Sequence, residues 1–171
     1  MSIEEREKEI ISDFDLFDDW SDKYQYIIEL GQKLPKLSAE FYSDEYKVKG
    51  CQSSVWMHAY FKDGMIFFEA DSDSTFVKGL VSLLISVLSN RTPNEIINSE
   101  LDFLNAIGLK QHLAQTRANG LAAMIKQMKL YAVGMQGLCP TEDGRKRLQG
   151  HTHDIIFRLL RGERGACGLC V

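Results

Sequence analysis

The sequence predicts an α+β fold: a small antiparallel sheet of three short strands, with helices on either side of it in the chain to cover it. Three observations carry this. Apolar residues at helical spacing fill two segments before residue 32, three short β-rich segments crowd between residues 46 and 70, and Thr75–Leu88 is apolar almost all round. One block of strands between blocks of helices is the α+β order, not the alternation that builds a parallel sheet. At 171 residues and 44% hydrophobic, the chain has the apolar material for one domain with a buried core.

The elements follow in order. Ile10, Ile11 and Phe14 share one side of a short amphipathic helix over residues 3–14. Asp18 or Asp19 caps a second helix with the stripe Trp20, Tyr24, Ile27, Ile28 and Leu30, ending near Gly31, and Pro35 bars its continuation. That stripe reads as core. Residues 46–49 are the first strand, 54–61 the second and 65–70 the third, with Asp63-Gly64 supplying the positive φ values of a tight hairpin. The stretch Asp71-Ser72-Asp73-Ser74 offers caps for the buried helix Thr75–Leu88. Thr92-Pro93-Asn94-Glu95 is a capping box with proline at the first helical position. A helix over 101–107 ends at Gly108, and Thr116 caps a last long helix over 117–133, where Gly120 points to close packing. After Gly134 the texture turns rich in Gly and Arg, with a helical pattern only over 154–160, and a domain boundary falls at about residue 136.

Charge and composition exclude several classes. Residues 1–136 hold 14 Lys and Arg against 20 Asp and Glu, and residues 137–171 hold 6 against 4, giving −6 and +2 within the net −4. An acidic surface is the wrong sign for phosphate, so nucleic acid is not an expected partner. No apolar run reaches the roughly 20 residues of a membrane span. The acidic start, Met1-Ser2-Ile3-Glu4-Glu5-Arg6-Glu7, lacks a signal-peptide profile, so a cytoplasmic protein with reduced thiols is expected.

Cys51 is the only cysteine in the first 138 residues. Gly50 precedes it and Gln52, Ser53 and Ser54 follow, which is turn chemistry between two strand segments. Packing cysteines usually have apolar neighbours in a regular element, whereas reactive groups sit on loops held by a scaffold. From this stretch alone an ordinary half-buried thiol and a presented nucleophile are both open. No adjacent residue is an obvious base, although Lys49 could lend positive charge.

Four pieces of sequence in order resemble one family. They are Trp20-Ser21-Asp22-Lys23-Tyr24-Gln25-Tyr26-Ile27-Ile28-Glu29-Leu30-Gly31, then Gly50-Cys51-Gln52-Ser53-Ser54-Val55-Trp56, then Asp71-Ser72-Asp73 with Val77-Lys78-Gly79-Leu80, and finally His112-Leu113 with Arg117-Ala118-Asn119-Gly120-Leu121. Over roughly residues 3–133 the chain resembles the SufE-like sulfur-acceptor proteins of iron–sulfur cluster assembly. The resemblance implies a three-stranded antiparallel sheet with helices on one face, a fold shared with the cluster-assembly scaffold proteins. It implies that Cys51 takes a persulfide sulfur from a pyridoxal-phosphate-dependent cysteine desulfurase, stimulates that enzyme, and passes the sulfur to a cluster scaffold. The cysteine loop can be tucked against the body or extended into the partner. Gly50, Gln52, Ser53, Asp73, Lys78, His112 and Arg117 are the implied loop or partner contacts. No cofactor or metal of its own is implied, and a homodimer is left open.

Each of these has a plainer reading. Asp73 serves equally as a helix cap, His112 reads better as a structural histidine than as a proton shuttle, and Arg117 as orienter of the loop stands level with Arg117 as surface charge. A paralogue serving another desulfurase or acceptor is an alternative. A cluster scaffold would need about three thiolates, and the body has one cysteine. A cysteine hydrolase would need a base, and His58 and His112 are the only histidines in the body, neither in a triad context. In the tail, Cys139, His151, His153, Cys167 and Cys170 include a Cys-x-x-Cys pair, which leaves zinc or a redox dithiol as an alternative, but they lack two paired ligand sets for zinc. Residues 137–171 are therefore read as a poorly ordered tail outside the family pattern.

Overall fold

The computed structural model describes residues 1–136; the boundary, the zinc or dithiol alternative and the tail's expected disorder concern residues outside that range. Helix α1 (Ile3–Phe14) begins with a capping box between Ser2 and Glu5. Helix α2 (Trp20–Gln32) is capped by Asp19, whose carboxylate accepts from Asp22 N–H at 2.9 Å. Strands β1 (Val55–Lys62) and β2 (Met65–Ser72) pair antiparallel around the Asp63-Gly64 turn, both of whose residues have positive φ. Helix α3 (Thr75–Leu88) follows, then α4 (Pro93–Asn98), α5 (Phe103–Ala106), α6 (Leu109–His112) and α7 (Gln115–Met135).

Among the described residues the sheet has two strands, not three. The expected first strand, residues 46–49, contributes a single bridge step, Lys47 opposite Trp56. Two backbone bonds make it: Val48 N–H to the Val55 carbonyl at 2.8 Å, and Met57 N–H to the Tyr46 carbonyl at 2.9 Å. Gly50, at φ +94°, turns the chain away before a ladder can extend. On the far edge of β2, Ile66 exchanges backbone bonds with Asn90 and Arg91. Both edges are thus partly occupied without a third strand.

One face of the hairpin carries Val55, Met57, Ala59, Ile66, Phe68 and Ala70, all buried. Helices α3 and α7 cover it. Nine of the fourteen residues of α3 are buried, making it the central helix that its all-round apolar sequence predicts. From α7, Tyr131 packs edge-on to Phe68 and donates its hydroxyl to the Met57 carbonyl at 3.0 Å. The opposite face is aromatic, with Trp56, His58 and Tyr60 partly covered by the short 3₁₀ turn Ala39–Phe41 and its neighbours. Phe41 stacks on His58 with ring centres 3.9 Å apart, and Tyr42 tilts against Trp56 at 5.2 Å.

Helix α2 ends near Gly31 as expected, one residue later at Gln32, and Gly31 is buried in its last turn, where α2 crosses α3 at Gly79. A Cβ on Gly31 would lie 2.6 Å from Gly79 N, and one on Gly79 would land on the Ile27 carbonyl. Neither position tolerates a side chain while the helices stay this close. Three other boundaries shift. Leu101, at φ +57°, lies outside α5, and Gly108 at φ +88° begins an unanticipated single turn, α6. Helix α7 starts at Gln115 after Ala114, so Thr116 is inside the helix and not its cap.

Candidate active site around Cys51

Cys51 occupies the tip of the loop between Val48 and Ser54, both half-buried or buried at the edge of the sheet. Its thiol is itself half-buried and donates to the Gly120 carbonyl on α7 at 3.3 Å. Gly120 lets this happen: a Cβ there would lie 3.4 Å from Cys51 Sγ, so anything longer would displace the loop. Beside the sulfur lies a cavity of about 150 Å³. Its wall combines Gln52 and Ser53 of the loop, Ser74 and Val77 at the start of α3, and Thr116 and Arg117 at the start of α7.

Burial pushes the Cys51 thiol above its ordinary pKa. The hydrogen bond to the Gly120 carbonyl needs the thiol proton, because a carbonyl oxygen can accept from a thiol but has nothing to offer a thiolate. Docked, Cys51 is held as the neutral, weakly nucleophilic form.

The base of the loop is held by the end of β2 and the residue that follows it. Ser54 N–H donates to Asp73 Oδ1 at 3.0 Å, while the Ser54 carbonyl accepts from Ser72 Oγ at 2.8 Å and from Asp73 N–H at 3.2 Å. Asp73 is therefore a clamp on the cysteine loop, and the cap of α3 is Ser74, whose hydroxyl accepts from Val77 N–H. Lys78 pairs with Asp71 at 2.8 Å, and the Tyr42 hydroxyl donates to the same carboxylate. Burial alone would raise the Asp71 pKa, but the hydrogen bonds from Lys78, Tyr42 and Ser72 N–H with the Lys78 charge outweigh it and hold Asp71 below the usual range.

The predicted residues thus separate. Cys51, Gln52, Ser53 and Arg117 meet at one cavity, and Gly50 supplies the turn into it. The Arg117 guanidinium sits 5.2 Å from the centre of the Phe76 ring at the edge of the site. Asp73 acts one residue beyond the loop, at Ser54, and Lys78 acts through Asp71. His112 is elsewhere, stacked on Trp20 with ring centres 4.3 Å apart. Lys49 has no part in the shift of the thiol, whose cause is burial. Sequence reasoning missed Tyr42 and read Asp71, Ser74 and Thr116 for capping and not as parts of the site; Gly120 signalled close packing but not its partner.

Among the described residues Cys51 is the one cysteine, and no three His, Cys, Asp or Glu side chains group as metal ligands. No described helix is long and apolar enough to cross a membrane.

A family model described as SufE, Fe-S metabolism associated domain, matches residues 8–132. An uncharacterized SufE-like protein of Rhizobium meliloti (strain 1021) is 40% identical over 131 residues, covering 74% of this chain and 94% of its own. A second, of Rhizobium etli, is 38% identical over 126 residues, covering 71% and 85%. The solution structure of a hypothetical protein from Thermus thermophilus aligns with a TM-score of 0.63 over 75% of this chain and 93% of that one. At 19% identity that likeness shows a shared fold.

Proposed function

The chain belongs to the SufE family of Fe–S metabolism associated domains, and from that membership we propose that it is a sulfur carrier working through Cys51. Its donor is a persulfide on a pyridoxal-phosphate-dependent cysteine desulfurase, and its acceptor is an iron–sulfur cluster scaffold. Stimulation of the desulfurase follows from clearing the sulfur that blocks its next turnover.

The observation that carries this reading is the thiol itself: presented at a loop tip, yet docked on the Gly120 carbonyl beside a cavity larger than it needs. The transfer is thiol exchange. The Cys51 thiolate attacks the outer sulfur of the donor persulfide, forms a new S–S bond, and expels the donor cysteine as thiolate. No electron is gained or lost overall. Docked and neutral, Cys51 cannot do this efficiently. Undocking removes both the burial and the carbonyl acceptor, so arrival in the partner's site and activation are one event. A cavity of about 150 Å³ is several times the roughly 30 Å³ share of a water molecule, so a second sulfur fits when the loop returns. There Arg117 offers the positive charge that a persulfide anion would seek.

The test is peptide-level mass analysis after incubation with a desulfurase and cysteine, before and after reduction. One reducible sulfur atom on Cys51, absent in Cys51→Ser, is the expected result. Equal stimulation of the desulfurase by Cys51→Ser would sink the reading.

A further inference from the structure

The two ends of the Cys51 loop are bonded far more heavily than its tip. At the base, Val48 and Met57 donate across the bridge step, and Ser54 is held by three bonds to Ser72 and Asp73. Val48 and Val55, which face each other there, are 3% and 0% exposed. The incoming arm is also tied to the end of β2, by the Tyr42 hydroxyl on the Asp71 carboxylate, with Lys78 steadying the same carboxylate. Lys49–Ser53, in contrast, meets α7 through one sulfur hydrogen bond, Cys51 to Gly120. Five bonds and a buried valine pair hold the base where one weak bond holds the tip.

We infer that Cys51 moves on a five-residue arch, Lys49–Ser53, over a base that stays closed, and that Tyr42 and Asp71 are positioning residues that keep it closed. Three peptide steps separate Cys51 from Val48 on one side and from Ser54 on the other. At roughly 3.3–3.6 Å per residue, its Cα rises at most about 10 Å above the base. The use of that limit rests on the carrier reading: the Cys51 side chain and the S–S bond it forms add about 4–5 Å, so the donor must bring its outer sulfur within about 15 Å of the sheet edge. The matching partner is a desulfurase that carries its persulfide near its surface or on a segment that itself moves out.

The experiment needs no desulfurase, so it gives its answer whether or not the protein carries sulfur. In the full chain with Cys139→Ser, Cys167→Ser and Cys170→Ser, Cys51 is the sole thiol. Its opening constant is read from alkylation kinetics, and that of the base from amide hydrogen exchange at Val48 and Met57. The expected result is a Cys51 opening at least about tenfold more frequent than either amide. Tyr42→Phe, which keeps the ring on Trp56, should speed exchange at Val48 and Met57 about threefold or more and leave alkylation within about twofold. A single opening constant shared by Cys51, Val48 and Met57 overturns the closed base. Unchanged amide exchange in Tyr42→Phe overturns the positioning role.

Discussion

The thiol of Cys51 and the carbonyl of Gly120, 69 residues apart in sequence, are joined by a 3.3 Å hydrogen bond beside which there is room for a methyl group and nothing longer. The bond sets the resting state of the site, because it buries the sulfur and favours its proton together.

Gly120→Leu should therefore evict the loop while preserving α7, since leucine is a better helix former than glycine. Its first carbon already reaches contact with Cys51 Sγ, and the rest of the side chain takes the thiol's place. We expect Cys51 alkylation to rise about tenfold, the equivalent of about 1.4 kcal/mol, with little change in Tm. Unchanged alkylation would mean that the loop is not held at Gly120.

The same docking predicts a pH signature. Burial holds the folded-state pKa of Cys51 above the unfolded value. The stabilisation this represents is complete below the unfolded pKa of about 8.5 and is lost as pH rises through the folded value. Wild-type Tm should fall relative to Cys51→Ser above about pH 8.5, and the two curves should run parallel below it. Parallel curves throughout would place the thiol in water.

Arg117→Ala should alter sulfur transfer more than it alters stability. The side chain is exposed and its contact over Phe76 is worth about 0.5–1 kcal/mol at such a site. A rate of transfer reduced about tenfold or more, with Tm within a few degrees, is the expected pairing. Wild-type transfer would return Arg117 to the solvated surface.

Truncation after Gln136 should leave both Tm and sulfur acceptance nearly unchanged. Helix α7 ends at Met135, the family match ends at residue 132, and every clamp on the loop lies before residue 121. A large fall in Tm would assign part of the core to residues 137–171.

The hairpin and the buried helix were legible because local chemistry dictates them: Asp63-Gly64 demands the turn, and α3 is apolar except for a narrow stripe of Thr75, Lys78, Ser82 and Ser86. Cys51 was legible for the same reason, as a cysteine in turn company. What failed was long-range. Residues 46–49 have strand-like composition, but whether two backbone bonds or a full ladder form depends on where Gly50 sends the chain. Asp73 and Ser74 are both plausible caps by type, and only the position of Ser54 decides that Ser74 caps and Asp73 clamps. Thr116 has cap chemistry, yet the helix begins at Gln115, two residues too early for Thr116 to serve. Gly120 announced a close neighbour without naming it, since nothing local encodes a contact 69 residues away.

The crossing of α2 and α3 at Gly31 and Gly79 gives the molecule an unexpected point of fragility. Helices usually pack 8–10 Å apart, and here two glycines bring backbone against backbone. The N-terminal end of α3 carries Ser74 and, just before it, Asp73, so the lateral position of that helix aligns the clamp on Ser54. One methyl group at residue 79 would wedge the helices apart and carry the clamp with them. In a genetic screen such an allele would score with active-site lesions although it touches no sulfur chemistry, and no side-chain change at Ile27 would rescue it, because the group it strikes is the Ile27 carbonyl.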